Sequence, residues 1–152
     1  MRIGIGYDLH PLVKGRKLVL GGVEIDFPLG LQGYSDADVL THAICDALLG
    51  AAGEGDIGRH FPDSDERYRG ILSLKLLEET SRKIRAKNLE VVNVDVTVIL
   101  EAPRLAPFID PMLQKLAEAM GVEAKQINIK AATNEGLGFI GRGEAIAAWA
   151  VA

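Results

Sequence analysis

The chain has 152 residues, 48% hydrophobic and 25% charged, the proportions of an ordinary globular domain long enough to close its own core. A net charge of −4 gives no general attraction to nucleic acid or to an anionic membrane, so any phosphate binding must be local. The single cysteine, Cys45, excludes an internal disulfide, and neither the start at Met1-Arg2-Ile3-Gly4 nor any apolar run reads as a leader or a span; the expectation is a cytoplasmic domain.

Met1 to Leu9 alternates, with Ile3, Ile5 and Tyr7 on one face and glycines between them, and predicts a strand. Lys17 to Val23 predicts a shorter strand, one arm of a hairpin turning at Lys14-Gly15. Asp26 to Tyr34, with Pro28, Gly30 and Gly33, is a loop. Ser35-Asp36-Ala37-Asp38 then opens a helix, with Ser35 as its expected cap and acidic residues suited to the helix dipole. Val39, Leu40, Ala43, Ile44, Ala47, Leu48 and Ala51 form its apolar face, and Gly53 is a natural stop.

Glu54 to Gly70 has no periodicity and is long for an idle connector. Ile71 to Lys87 predicts a second helix with Leu74, Leu77 and Ile84 toward the core. Leu89 to Leu100 is the clearest strand: Val92, Val94, Val96, Val98 and Leu100 face one way, Asn93, Asp95 and Thr97 the other. The turn at Glu101-Ala102-Pro103-Arg104 precedes a third helix ending near Met120. Ile127 to Ala132 and Glu144 to Val151 predict two further strands around a glycine-punctuated loop. Strands interleaved with helices argue for one α+β (α/β-like) domain over residues 1–152, a mixed sheet with helices packed on one face.

Asp8-Leu9-His10 places a carboxylate and an imidazole two residues apart, hence on one face of a strand. With His42 they would make a three-ligand set suited to zinc, leaving the fourth tetrahedral position open. Asp-x-His also recurs by chance as ordinary turn chemistry. Asp38 and Asp46 lie one turn either side of His42, where a carboxylate could fix the imidazole tautomer or simply solubilise the helix. His60 is a conceivable fourth ligand, although a loop histidine more often faces water. The segment Asp56-Ile57-Gly58-Arg59-His60-Phe61-Pro62-Asp63-Ser64-Asp65 is polar enough to bind a polyhydroxylated substrate, or to be a solvated loop. Ala131-Ala132-Thr133-Asn134-Glu135-Gly136 follows a strand and offers amides for an anion and Glu135 for a hard cation. There is no Walker loop, dinucleotide fingerprint, serine triad or cysteine pair.

Taken in order, these motifs resemble the 2-C-methyl-D-erythritol 2,4-cyclodiphosphate synthase family over essentially the whole chain. The resemblance rests on Arg2 to His10, Ser35 to Val39 with His42, Asp46 to Ala51, and Gly55 to Gly58. It continues through Phe61-Pro62-Asp63, Asn93-Val94-Asp95 and Leu137 to Glu144. It implies a homotrimeric lyase of the non-mevalonate isoprenoid pathway, with sites between neighbouring subunits and CMP as leaving group. Asp8, His10 and His42 would hold Zn2+, and Glu135 a second divalent cation, Mg2+ or Mn2+, between two phosphates.

By the same resemblance, Asp56, Ile57, Gly58, Phe61 and Asp63, with Asp65, would line the methylerythritol pocket. Ser35 would hold the β-phosphate and Thr133 the α-phosphate, with Tyr34 and Thr133 the catalytic pair. Leu100, Pro103, Arg104, Leu105 and Ala106, with Ala131 and Ala132, would form a cytidine pocket supplied by a neighbour. Phe139 and Arg142 would border the substrate and the trimer axis, where Arg142 and Glu144 can pair beside a cavity able to hold an isoprenoid diphosphate. Tyr34, Ala132 and Gly136 depart from the family's usual histidine, threonine and lysine. Two other readings remain open from the residues alone: a zinc phosphohydrolase, separable by its linear product, and a non-catalytic trimeric sensor of isoprenoid diphosphates.

Overall fold

The computed structural model describes all residues from Met1 to Ala152. Its five-stranded sheet has the order β4-β1-β7-β5-β6, with β1 at Ile5–Val13, β4 at Gly30–Leu31, β5 at Val94–Ile99, β6 at Ile127–Ala132 and β7 at Ala145–Val151. Only β5 and β6 run parallel, so the sheet is mixed. A two-stranded ribbon, β2 (Leu18–Leu20) and β3 (Val23–Ile25), stands apart from it. Helices α1 (Val39–Ala52), α3 (Ser73–Ala86) and α4 (Ile109–Met120) are joined by two one-turn helices, α2 (Ile57–His60) and α5 (Gly138–Gly141).

The first strand begins and ends four residues later than its alternation suggests, because Leu12 and Val13 pair with β4. Its glycines decide how the layers meet. A Cβ at Gly6 would lie 1.9 Å from the Ala43 carbonyl oxygen, and one at Gly4 1.9 Å from that of Ala47. Only glycine lets α1 lie this close on β1. The hairpin turns at Gly21-Gly22, both at positive φ, and not at Lys14-Gly15.

Asp38, and not Ser35, caps α1. It is fully buried, and its carboxylate accepts from Thr41 N, Thr41 Oγ1, Gly21 N and Gly22 N at 2.7–3.1 Å. One side chain thus satisfies the helix start and the hairpin turn together. Burial, with the neighbouring Asp36 charge, pushes its carboxyl above the usual range despite those donors.

One cluster of 31 buried residues fills the space between the sheet and α1, α3 and α4. Every expected core position of α1 is buried except Ala51, which is half-buried, as is Leu74 of α3. Val92 precedes β5 and stands exposed, while Val94, Val96, Val98 and Leu100 are buried. Cys45 is fully buried, and burial drives its thiol pKa upward, as expected of packing and not of a nucleophile. The other sheet face carries Ile5, Tyr7, Trp149 and Val151, between 44% and 69% exposed, with the Tyr7 and Trp149 rings 4.7 Å apart. Large apolar side chains clustered on a solvent-facing sheet surface mark an unpartnered contact region. No helix is long and apolar enough to cross a membrane.

Candidate functional site

Asp8 and His10 leave β1 on the side of its glycines, toward α1, and His42 meets them from the first turn of that helix. Asp8 Oδ2 lies 3.0 Å from His10 Nε2 and 2.9 Å from His42 Nδ1, and the two ring nitrogens are 3.2 Å apart. No other three His, Cys, Asp or Glu side chains converge in this way. Tetrahedral zinc with ligand bonds near 2.0–2.1 Å needs donors about 3.3 Å apart, so the triangle fits a divalent cation after a small opening. Burial works against the Asp8 charge, but hydrogen bonds and charge from His10 and His42 outweigh it and hold the carboxyl well below its usual range. Burial likewise opposes a charged His42, yet Asp8, Asp38 and Asp36 raise its pKa. Three groups that would otherwise contest one point in space are a chemistry that a cation resolves.

Behind His42 lies a part that spacing alone does not show. Its Nε2 is 2.8 Å from Ser73 Oγ and 3.2 Å from Ser35 Oγ, and Ser73 in turn donates to Asp36. Ser73 sits thirty-one residues from His42, at the start of α3, where a serine reads as an ordinary first-turn residue. No local signal announces it. Neither candidate carboxylate orients His42 or faces solvent simply to solubilise the helix: Asp38 is buried and caps α1, and Asp46 accepts from Ile57 N at 2.7 Å and anchors α2. His60 is turned away, 2.9 Å from the Glu54 carbonyl, and is no fourth ligand.

The loop from Glu54 to Gly70 is more ordered than its composition suggests. Asp56 caps α2 through Arg59 N, and Asp65 caps a short turn at Glu66–Tyr68 while pairing with Arg67. Ile57 is half-buried, Gly58 and Asp63 are exposed, and Phe61 packs edge-on against Tyr68. The Tyr34 hydroxyl donates to the Asp65 carbonyl at 3.4 Å, and Arg69 covers its ring at 5.2 Å.

The remaining expected residues form a second group. Leu100 N donates to Ala132 O, and Asn134 N donates to Glu101 at 2.7 Å, so the loops after β5 and β6 hold one another. Glu101 therefore already occupies one of the amides that could cradle an anion. Thr133 Oγ1 and Glu135 Oε1 are 3.3 Å apart, and Glu135 takes a positive φ of 52°. Leu100 and Leu105 are buried in the core, leaving only their backbone for a ligand, whereas Pro103 is half-buried and Arg104 and Ala106 are exposed. Phe139 on α5 is exposed, and Arg142 pairs with Glu144 of the same chain at 2.7 Å. Leu100 and Thr133 to Glu135 follow β5 and β6, two and three strands from β1, or up to about 14 Å at ordinary strand spacing, while Phe139 and Arg142 lie on and just after α5, ahead of β7. Glu135 does not join the Asp8 cluster. A cavity of about 690 Å3, lined by Arg2, Leu48, Ile84 and Val151, lies where the chain enters β1 and touches neither group.

Known proteins match this chain throughout its length. The sequence profile of the YgbB family matches residues 1–152.

The chain belongs to the YgbB family.

Curated relatives named 2-C-methyl-D-erythritol 2,4-cyclodiphosphate synthase include those of Desulfatibacillum aliphaticivorans and Pelotomaculum thermopropionicum. Each is 58% identical over all of this chain, covering 98% and 94% of the relative. Among solved structures, a 2C-methyl-D-erythritol-2,4-cyclodiphosphate synthase in its CDP-bound form superposes with a TM-score of 0.90 at 37% identity, over 99% of this chain and 97% of that one. The bifunctional IspDF of Campylobacter jejuni gives 0.92 at 39% identity over 99% of this chain, which spans only 41% of that protein. A YgbB-family chain with this name among its relatives is an enzyme, a lyase.

Proposed function

We propose that this YgbB-family chain converts 4-diphosphocytidyl-2-C-methyl-D-erythritol 2-phosphate to 2-C-methyl-D-erythritol 2,4-cyclodiphosphate, with release of CMP. The observation that carries the reading is the convergence of Asp8, His10 and His42 in a chain whose relatives bear the synthase name. Two imidazoles and a carboxylate suit zinc, which when bound would neutralise and polarise phosphate oxygens. The rest is positioning by the protein. The 2-phosphate oxygen attacks the β-phosphorus as the bond to CMP breaks, so no side-chain nucleophile is required. Ser35, beside His42, is placed to donate to the β-phosphate. Asp56, Ile57, Gly58, Phe61, Asp63 and Asp65 are assigned to the methylerythritol pocket, and Tyr34 to a hydroxyl donor near the transferring phosphate.

Thr133 is assigned to the α-phosphate, Glu135 to a second cation, Mg2+ or Mn2+, and Leu100, Pro103, Arg104, Leu105, Ala106 and Ala132 to the cytidine. Their distance from Asp8 within one chain favours completion of each site by a neighbour, hence a homotrimer. The exposed stripe of Ile5, Tyr7, Trp149 and Val151 supplies the apolar surface such an assembly needs. Phe139, Arg142 and Glu144 would then stand near the axis, beside a cavity for an isoprenoid diphosphate. A nucleotide substrate is supported by the CDP carried by solved relatives, and a cytoplasmic location by composition alone. The decisive test is incubation with the diphosphocytidyl substrate with and without a chelator. Cyclic diphosphate and CMP are expected, with turnover abolished by the chelator and restored by zinc. A linear hydrolysed product would replace this reading with a phosphohydrolase.

A further inference from the structure

Ser73 has one proton to give, and its partners determine where that proton goes. Its hydroxyl donates to Asp36 Oδ1, and an ionised carboxylate can only accept. Asp36 is itself held: its Oδ2 takes the Ser73 amide at 3.0 Å, its Oδ1 the Asp38 amide at 3.2 Å, and its own amide donates to Ile71 O at 3.1 Å. With its proton committed, Ser73 Oγ presents only lone pairs to His42 Nε2, 2.8 Å away. The imidazole must therefore donate from Nε2. In the neutral ring that leaves a lone pair on Nδ1, the atom facing Asp8 and His10.

We propose that Ser73, fixed by Asp36, is a positioning residue that selects the Nε2–H tautomer of His42 and holds its ring so that Nδ1 is the metal-binding atom. The inference rests on the metal reading of Asp8, His10 and His42. It also assigns different tasks to two neighbouring hydroxyls. Ser35 Oγ, 3.2 Å from the same Nε2, already accepts from Ala37 N. Because Ser73 takes the histidine proton, Ser35 is spared that task and can turn its own proton to Ser73 Oγ, 3.5 Å away, or to a ligand. Ser73 is fully buried, so no water can replace its hydroxyl without a cavity to hold it.

The test compares the parent with Ser73→Ala, Ser73→Thr, Asp36→Asn and His42→Ala. Zinc affinity is read by competition with a chromogenic chelator, and the His42 Nε2 proton by nitrogen-15 NMR of the zinc-loaded protein. Ser73→Ala should weaken zinc roughly 10–100-fold, the usual effect of losing a partner to a ligating histidine. It should also turn a slowly exchanging Nε2 proton into one that exchanges freely with water. Ser73→Thr, which keeps the hydroxyl, should restore both. Asp36→Asn should weaken zinc by an intermediate factor while the fold persists, which covers the case of a poorly folded Ser73→Ala. Parent zinc affinity and a protected Nε2 proton in both Ser73→Ala and Asp36→Asn would overturn the inference while leaving the metal centre standing. A parent that binds no zinc, or binds it equally well as His42→Ala, would overturn the metal reading and this inference with it.

Discussion

At Asp8, His10 and His42 each donor atom lies within 3.2 Å of the other two, and the side chains are at most 24% exposed. From Ala131 to Phe139 every residue is exposed, and the loop is tied down mainly by Glu101 and by bonds within itself. The first region is assembled by the core: β1, α1 and α3 each bring one part, and moving any of them would disturb packed side chains. The second has little buried surface to order it, which under the proposed function leaves its geometry for substrate and a neighbouring subunit to complete. Substitutions in the first region should therefore act on metal content and rate, and those in the second on assembly and affinity.

The largest effect is expected at the first region. His42→Ala leaves two ligands, so metal analysis should find zinc well below one per chain and turnover should fall by at least about a hundredfold. The far-ultraviolet spectrum should stay native, since His42 is not part of the apolar cluster. Full zinc occupancy in the variant would show that the cluster is not the centre.

Next comes the surface that would join the two regions across subunits. Trp149→Arg sets a charge in the exposed apolar stripe and should convert a trimer to monomers in sedimentation. A thirtyfold loss of kcat/KM is about the scale of one interface hot spot, roughly 2 kcal/mol. A fully active monomer at assay concentration would rule out the shared site.

Tyr34 comes next in expected effect. It stands where the family resemblance implies a histidine, and it keeps a hydroxyl that can donate a hydrogen bond. Tyr34→Phe should cost roughly tenfold in kcat/KM, the scale of one hydrogen bond of about 1.4 kcal/mol. Because the hydroxyl reaches the Asp65 carbonyl at 3.4 Å, unchanged kinetics would mean that it only braces the loop.

The smallest effect should come from the exposed loop. Glu101→Ala frees the Asn134 amide and should raise KM about threefold with kcat unchanged, given the modest net worth of a solvated hydrogen bond. A fall in kcat instead would mean that this loop is as preorganised as the metal cluster.

How far the sequence discloses these regions follows from how local their physics is. Asp8 and His10 are legible because strand periodicity puts them on one side, and β6 and the start of α4's glycine stop at Gly121 follow from ordinary patterning. His42 is legible as a ligand type, and its meeting with β1 follows from the family resemblance and the spacing together. The Ser73 contacts with His42 and Asp36 are not legible, since they span thirty-one and thirty-seven residues, and neither is the choice of Asp38 as cap, which Gly21 and Gly22 help to make from seventeen and sixteen residues away. The Ser35 cap fails for a related reason: Ser35, Asp36 and Asp38 could each cap, and the amides of Gly21 and Gly22 choose Asp38 among them. The expected turn at Lys14-Gly15 fails because the pairing register of Leu20 with Val23 puts the turn at Gly21-Gly22, inside the predicted strand.

Gly6 stands opposite the Ala43 carbonyl, one residue from His42 and two from Asp8. The thickness of the gap between β1 and α1 is thus a ruler for the distance from the imidazole to the strand ligands. A methyl group at position 6 would shim that gap open, pulling His42 away from Asp8 and His10 without altering any of the three. Transplanting the Asp-x-His pair and its histidine onto another sheet–helix pair would consequently carry over the donors and lose their separation, unless the two glycines travelled with them.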